Sequence, residues 1–202
     1  MQVIQHLVPG KVKPLVFPAH DIPVATPRIE TGRLVLRGHR IEDLQDCAEM
    51  WGDRDVTRYI GGKPFSREEV WSKILRYAGH WSLLGFGYWV IADRASGRFL
   101  GEAGFADFKR RIEPELTGLP EIGWALAPAA QGAGIATEAV GAVLGWGDRH
   151  FAAGPTVCLI HPDNIGSIRV ALKCGYREFR RTTYKEQPTI LFQRGDQGNG
   201  QQ

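Results

Sequence analysis

The chain has 202 residues, of which 43% are hydrophobic and 23% are charged, and these proportions exclude a largely disordered, fibrous or coiled-coil protein. A chain of this length is expected to form one domain, with or without tails. The 25 basic and 22 acidic residues leave a net charge of +3, which is too small to make DNA or RNA the expected partner.

The two ends of the chain predict no packed structure. Residues 1–27 contain five of the twelve prolines and show no helical or strand period, which is typical of an extended arm. Residues 195–202 (GDQGNGQQ) have nothing apolar to bury and are expected to form a disordered tail. The folded domain is therefore predicted to span 28–194. A partner surface or a second subunit could order the arm, which leaves a homodimer open.

In the first half of the domain, short apolar runs alternate with helical patterns. Ser66 and Glu69 form an S-x-x-E capping box at the start of one helix. Ser96-Gly97 is the tight turn of a predicted hairpin. The predicted elements, in chain order, are a strand at 33–37, a helix at 41–51, a helix at 66–84, and hairpin strands at 87–93 and 99–108.

The second half adds strands joined by helical crossovers. Asp163 or Asn164 is the predicted N-cap of the last helix, and Gly175 is its stop signal. The predicted elements are a strand at 121–126, a helix at 134–150, a strand at 156–161, a helix at 164–174, and strands at 178–184 and 189–193 that are joined around Pro188. This mixture of hairpins and crossovers predicts an α/β protein with one mixed sheet and helices on both faces.

A glycine-containing loop at 131–136 (QGAGIA) connects the 121–126 strand to the long helix. Small residues let backbone N–H groups approach a ligand, and the first helical turn adds unpaired donors, so the loop suits a pyrophosphate. A plain tight turn is the alternative. The P-loop pattern is missing because no Gly-Lys-Ser/Thr occurs, and the dinucleotide pattern fails because Thr137 occupies its last Gly/Ala position.

The segment Gln131-x-x-Gly134-x-Ala136 resembles the Q/R-x-x-G-x-G/A loop of the GNAT superfamily of acyl-CoA-dependent N-acyltransferases. Further segments resemble its RimJ/RimL-like branch: Thr137-Glu138-Ala139, Glu121-Ile122-Gly123-Trp124, and Asn164-x-x-Ser167 followed by Lys173-Cys174-Gly175-Tyr176. The resemblance spans 28–194. It implies the GNAT fold, a single mixed α/β sheet that is splayed at its centre, and an N-acetyltransferase that uses acetyl-CoA.

The same resemblance implies where the cofactor binds. The strands at 121–126 and 156–161 would diverge, and the pantetheine arm would insert between them. Backbone groups near Ala125 and Leu126 would pair with the arm, and Asn164 would contact it. Arg169 or Lys173 could meet the adenosine 3′-phosphate, although a solvated basic face is the alternative. The residues implied to hold the pyrophosphate are Gln131, Gly132, Ala133, Gly134, Ile135, Ala136 and Thr137.

The reaction implied is direct attack of a neutral amine on the thioester. An α-amino group, with a pKa of about 7.7–8.0, needs little help to lose its proton, whereas a lysine near 10.4 needs a base. Glu102 and Glu121 lie on adjacent predicted strands and are the candidate bases, with surface placement as the alternative. Many members of the superfamily carry a tyrosine where this chain has Ala171. The RimJ/RimL-like branch often carries a serine at the position of Ser167, so the resemblance implies Ser167 as the candidate contact of the departing thiolate, with helix capping as its alternative role.

Cofactors other than acetyl-CoA are not expected. Cys47, Cys158 and Cys174 are odd in number and have no CxxC or Cys/His metal spacing, so neither a disulfide framework nor a metal site is predicted. No stretch approaches the roughly 18 apolar residues of a membrane helix, and the N-terminus lacks the continuous apolar core of a signal peptide. We therefore expect a soluble, cytoplasmic protein without a membrane partner.

The acceptor amine stays open at this point. The RimJ/RimL-like resemblance favours the α-amine of a protein or peptide N-terminus, and the alternatives are a polyamine, an aminoglycoside or an amino acid derivative. A CoA-binding regulatory module that has lost catalysis is an alternative from another class.

Overall fold

The structure is a computed structural model that describes residues 25–151 and 154–195. The predicted arm and tail lie almost entirely outside these residues. The strands are β1 Ile29–Glu30, β2 Leu34–Arg37, β3 Tyr88–Asp93, β4 Phe99–Ala106, β5 Glu121–Leu126, β6 Thr156–Ile160, β7 Arg177–Tyr184 and β8 Gln187–Arg194. The helices are α1 Leu44–Gly52, α2 Arg54–Thr57, α3 Arg67–Leu84, α4 Ile135–His150 and α5 Ile165–Lys173.

The described strands form one eight-stranded sheet in the order β1-β2-β3-β4-β5-β6-β8-β7. All neighbours are antiparallel except β5 and β6, which are parallel and share a single register pair, Glu121 with Val157. Beyond that pair the two strands diverge toward their C-terminal ends. The sheet is therefore splayed at its centre, and a gap opens between β5 and β6.

The alternation of side chains along β5 assigns the two faces of the sheet. Ile122 and Leu126 pack into the larger core with α4, whereas Ala125 packs with α1 and α3 on the opposite face. Glu121 and Gly123 share the face of Ala125 because strand side chains alternate with a period of two. The mixed sheet with helices on both faces confirms the predicted fold class.

Most predicted elements are present, and their start and stop signals are satisfied. The capping box of α3 is complete, because Ser66 Oγ accepts from the Glu69 N–H (3.2 Å) and Glu69 Oε2 accepts from the Ser66 N–H (2.7 Å). The predicted turn at Ser96-Gly97 does join β3 to β4. No helix in the described part of the chain is long and apolar enough to cross a bilayer.

The last hairpin differs from the prediction. Pro188 lies within β8, opposite Thr183, and the turn is formed instead by Lys185 and Glu186, whose φ values are +48° and +64°. A two-residue hairpin turn with two positive φ angles is normally signalled by Asn-Gly or Asp-Gly. Neither pair is present here, so the sequence analysis placed the turn at Pro188, which was wrong.

Candidate active site

The gap between β5 and β6 presents backbone groups that no neighbouring strand uses. The Ala127 N–H donates to the Leu100 carbonyl (2.9 Å), and Ala125 lies in register with Glu102. In an antiparallel pair the hydrogen-bonding direction alternates from residue to residue. The backbone of Ala125 is therefore directed at β4, while Trp124 and Leu126 are directed at the gap. This corrects the prediction that placed Ala125 among the residues facing a ligand.

The side chain of Gln131 folds back onto the C-terminal end of β5. Its amide Nε2 donates to the Leu126 carbonyl at 3.1 Å, and its backbone N–H donates to the Pro128 carbonyl at 3.1 Å. Gln131 therefore shapes the turn that carries the chain from β5 to the glycine loop. The Leu126 carbonyl already accepts one hydrogen bond, and the N–H of Leu126 is directed at the gap, where a ligand can accept from it.

Two glycines set the path of the loop before α4. Gly132 and Gly134 have φ values of +78° and +76°, a region that side-chain-bearing residues adopt at a cost. A Cβ on Gly132 would meet nothing within 4 Å, and one on Gly134 would lie 3.6 Å from the Arg33 guanidinium. Backbone conformation, and not crowding within the chain, therefore requires glycine here.

The N-terminus of α4 is open. Gly134 is its N-cap residue, and no side chain in the described part of the protein caps the helix. The N–H groups of the first turn therefore have no partner from a cap there. Ile135 and Ala136 pack against the core and fix the start of the helix. An uncapped helix N-terminus after a glycine loop is a favourable place for an anion.

Arg33, which lies between β1 and β2 near one edge of the sheet, contacts this loop. The sequence analysis did not identify it as a site residue. Its guanidinium donates to the Ala133 carbonyl (2.9 Å) and to Glu138 Oε2 (2.6 Å), while the Thr31 hydroxyl donates to Glu138 Oε1 (2.6 Å). Burial opposes ionisation of Glu138, but the bonds from Thr31 and Arg33 outweigh it and hold the pKa of this carboxyl below its usual value. A residue a hundred positions before the loop carries no sequence signal for this contact.

Helix α5 begins beside the gap, immediately after β6. Asn164 is its N-cap, and its side-chain oxygen accepts from the Ser167 N–H at 3.1 Å, so Ser167 contributes only its backbone to the cap. Ala171 is fully buried. Arg169 and Lys173 are exposed on the same helix.

Glu102 lies inside the protein and accepts hydrogen bonds from three side chains. It is 1% exposed and receives hydrogen bonds from His39 Nε2 (2.8 Å), Trp51 Nε1 (2.8 Å) and Cys47 Sγ (3.3 Å). Burial opposes its ionisation, but the bond from His39 and the charges nearby keep its pKa below the usual value. An amine acceptor could reach this carboxylate only if these bonds were broken.

The same cluster could hold a metal by its donor set. The side-chain donor atoms of His39, Cys47 and Glu102 lie within 4.8 Å of one another, and transition metals accept such a set. Direct hydrogen bonds already join the His39 and Cys47 donors to Glu102 Oε1. The three residues come from different elements, so their spacing in the sequence did not reveal the cluster.

Glu121 lies at the closed end of the gap, on the α1/α3 face of the sheet. Arg110 holds it with two hydrogen bonds, Nε to Oε2 at 2.6 Å and Nη2 to Oε1 at 2.8 Å. The guanidinium lies over the rings of Phe108 (4.7 Å) and Tyr184 (4.8 Å). Glu121 also lines a cavity of about 210 Å³ formed with the 106–119 segment. Unlike Glu102, this carboxylate borders open space.

Comparison with known proteins gives a consistent result. A family model described as an acetyltransferase (GNAT) domain matches residues 33–177. The protein YkkB of Bacillus subtilis is 32% identical over 177 residues, which are 84% of this chain and 96% of YkkB. A solved GnaT-family acetyltransferase from Bordetella pertussis is 30% identical, with a TM-score of 0.75 over 84% of this chain and 99% of its own.

Two more distant solved structures share the fold. RimL, a ribosomal L7/L12 alpha-N-protein acetyltransferase in complex with coenzyme A, is 16% identical with a TM-score of 0.69, covering 86% of this chain and 100% of its own. The spermidine N-acetyltransferase of Vibrio cholerae, in complex with CoA and spermine, is 17% identical with a TM-score of 0.64, covering 82% and 96%. Proteins with different acceptors therefore share this architecture.

Proposed function

We propose, from the premise that this chain belongs to the GNAT acetyltransferase family, that it moves the acetyl group of acetyl-CoA to a primary amine by direct attack. Family membership makes the chain an N-acetyltransferase. The donor, the acceptor and the roles of individual residues go beyond that membership and rest on the geometry of the site.

The observation that supports acetyl-CoA is the gap between β5 and β6 with a glycine loop at its open end. Pantetheine would lie along the gap as an added strand does, with the Trp124 and Leu126 backbone as its partners. The pyrophosphate would bind the N–H groups of the residues from Gly132 to Thr137, at the N-terminus of α4. Arg33 is held beside this loop by Ala133 and by its ion pair with Glu138, and its guanidinium N–H groups would face the phosphates.

The N-cap residue of α5 and two residues of the helix complete the proposed cofactor contacts. The side-chain oxygen of Asn164 caps the helix, and its NH₂ has no acceptor among the described residues, so the NH₂ would donate to the pantetheine arm. The Ser167 hydroxyl, which the cap does not use, would contact the thiolate that leaves. Arg169, exposed on the same helix, would face the adenosine 3′-phosphate.

Of the two candidate bases, we assign the catalytic role to Glu121 and a structural role to Glu102. Glu121 borders the cavity at the closed end of the gap, where the far end of the pantetheine arm would bring the thioester. It would accept the amine proton through a water molecule, with Arg110 fixing its orientation. Glu102 does not line that cavity. Its carboxylate accepts hydrogen bonds from His39, Cys47 and Trp51 instead.

The proposed acceptor is the α-amine of a protein or peptide N-terminus, because the chain resembles the RimJ/RimL-like branch of the family. The cavity beside Glu121, at about 210 Å³, is smaller than a typical ligand pocket of roughly 300–1,000 Å³, so it would admit one end of an acceptor. Polyamines, aminoglycosides and amino acid derivatives stay as alternatives.

Calorimetric titration with acetyl-CoA tests the cofactor site through a matched pair of glycine variants. Gly134→Ala and Gly97→Ala both place a side chain at a φ near +75°, with no heavy atom closer than 3.6 Å. Both should lose roughly 1 kcal/mol of stability. We expect only Gly134→Ala to lose affinity for acetyl-CoA, by at least about tenfold. Equal affinities in the two variants would contradict a phosphate site at this loop.

The acceptor is identified by measuring thiol release from acetyl-CoA with peptides, polyamines, aminoglycosides and amino acids offered in turn. Faster turnover with peptide α-amines than with the other classes is expected. Tight binding of acetyl-CoA without thiol release from any class would favour the regulatory module instead.

A further inference from the structure

The hydroxyl of Tyr88 occupies the place where residue 123 has no side chain. A Cβ built on Gly123 would lie 2.1 Å from Tyr88 Oη and 3.3 Å from its Cζ. Gly123 follows Glu121 by two residues, and so lies about 7 Å along β5 from the last link to β6. The Tyr88 hydroxyl therefore lies against β5 near the closed end of the gap, on the face of the sheet that also carries Glu121.

The ring that carries this hydroxyl is held rigidly, and the hydroxyl has no hydrogen-bond partner among the described residues. The Tyr88 ring stacks on Tyr77, with centroids 4.3 Å apart and planes inclined by 7°, and it is 6% exposed. Within residues 25–151 and 154–195 no group hydrogen-bonds its oxygen, and His80 Nδ1 is the only side-chain polar atom there that is sealed from solvent without a partner. Among the described residues the Tyr88 hydroxyl therefore keeps its hydrogen-bonding capacity for a water or a ligand.

The surroundings keep Tyr88 a neutral donor. Burial, followed by the negative charge of Glu121, raises the pKa of this phenol above its usual value. A protonated phenol can donate one hydrogen bond at any pH at which the enzyme works, but it is a poor base. The polar atom beside Gly123 is thus suited to stabilise negative charge.

Resting on the proposed function, we propose that the Tyr88 hydroxyl donates a hydrogen bond to the carbonyl oxygen of the acetyl thioester and is a catalytic residue. When the amine nitrogen bonds to the carbonyl carbon, the C=O electron pair moves onto that oxygen, which Tyr88 stabilises. Collapse restores the C=O bond and breaks the C–S bond, whose electron pair leaves with sulfur. The proton lost by the amine passes through Glu121 and water to the thiolate, so Tyr88 neither gains nor loses a proton.

A test that needs no acceptor uses ¹⁹F NMR of protein labelled with 3-fluorotyrosine. The chain has five tyrosines, and Tyr88→Phe and Tyr77→Phe assign the two stacked rings. We expect acetyl-CoA to shift the Tyr88 signal more than CoA does, while Tyr176, bonded to Thr156 at 2.6 Å on the other face, stays unchanged. Equal shifts with the two ligands, or none although both bind, would overturn the proposal. Failure of both ligands to bind in calorimetry would instead refute the proposed function, and this inference with it.

Kinetics with the same variants separate catalysis from packing. Tyr88→Phe should lower kcat by about 10- to 100-fold, at or below the loss typical of an oxyanion donor, and should change the KM for acetyl-CoA less than threefold. Tyr77→Phe removes the hydroxyl of the other ring of the stack, on a residue that is 2% exposed, and should stay within threefold of the wild type in both. A Tyr88→Phe enzyme with a wild-type kcat, or an equal loss in Tyr77→Phe, would contradict the proposal.

Discussion

Lys73 is a partly buried charged residue that has no ion-pair partner among the described residues. Its ammonium lies 3.9 Å from the Trp51 ring centroid and 5.0 Å from that of Phe65. Burial lowers the pKa of Lys73 to about 8, and the negative charge of Glu102 opposes this shift. The aromatic rings favour the charged form as well, but they do not replace the water that burial removes.

The lowered pKa of Lys73 predicts a rise in stability at alkaline pH. Between pH 8 and about 10.4 the unfolded chain holds this proton and the folded protein does not, so the free energy of unfolding rises with pH. We expect the wild type to gain about 1–3 kcal/mol over Lys73→Met between pH 7.5 and 10 in urea unfolding. Lys63→Met, at an exposed position, is the control and should run parallel to the wild type. A parallel curve for Lys73→Met would contradict the assignment.

At the scale of elements, one buried carboxylate fastens a helix to the sheet. Cys47 and Trp51 lie one turn apart on α1, and both donate to Glu102 of β4. His39 adds a third donor from the segment after β2. The carboxylate thus connects three parts of the chain on the face where the acceptor is proposed to bind.

The different roles assigned to the two candidate bases predict opposite patterns of stability loss and kcat loss when each is replaced by glutamine. Glu102→Gln should destabilise the protein by about 2–4 kcal/mol, because buried donors lose a charged partner, and the enzyme that stays folded should keep most of its kcat. Glu121→Gln should lose less stability, since its oxygens border the cavity, and should lower kcat by about 10²- to 10⁴-fold. Urea unfolding and thiol release measure the two quantities. A large kcat loss confined to Glu102→Gln would reverse the assignment.

The elements also show what the sequence could predict and what it could not. Local signals were sufficient for α3, whose capping box is intact, and for β5, which has the predicted bounds. The turn at Lys185 and Glu186 was not predicted, because its two positive φ angles occur without glycine or asparagine.

Contacts between distant parts of the chain set the limit for the site. The glycine loop was predictable because its residues are consecutive. Arg33 on that loop, the cluster around Glu102, and the Tyr88 hydroxyl against Gly123 each join segments 35 or more residues apart. No spacing rule within one sequence connects such pairs, so these parts of the site appeared only with the fold.

For the molecule as a whole, the splayed sheet is the feature from which the function follows. The eight strands would form an ordinary continuous sheet if β5 and β6 paired along their whole length. Instead they pair only at Glu121 and Val157, and the backbone of Trp124 and Leu126 is left for an extended ligand. The open end leads to the N-terminus of α4, and the closed end leads to Glu121 and Tyr88.

The measurement that tests this account most directly is amide hydrogen exchange by NMR, with and without CoA. The account predicts that CoA slows exchange of the Trp124 and Leu126 amides and of the loop amides from Gly132 to Thr137, while the Ala125 amide, already bonded to β4, changes little. CoA binding that leaves the Trp124 and Leu126 amides unprotected, or that protects amides elsewhere instead, would contradict a cofactor site in the gap between β5 and β6.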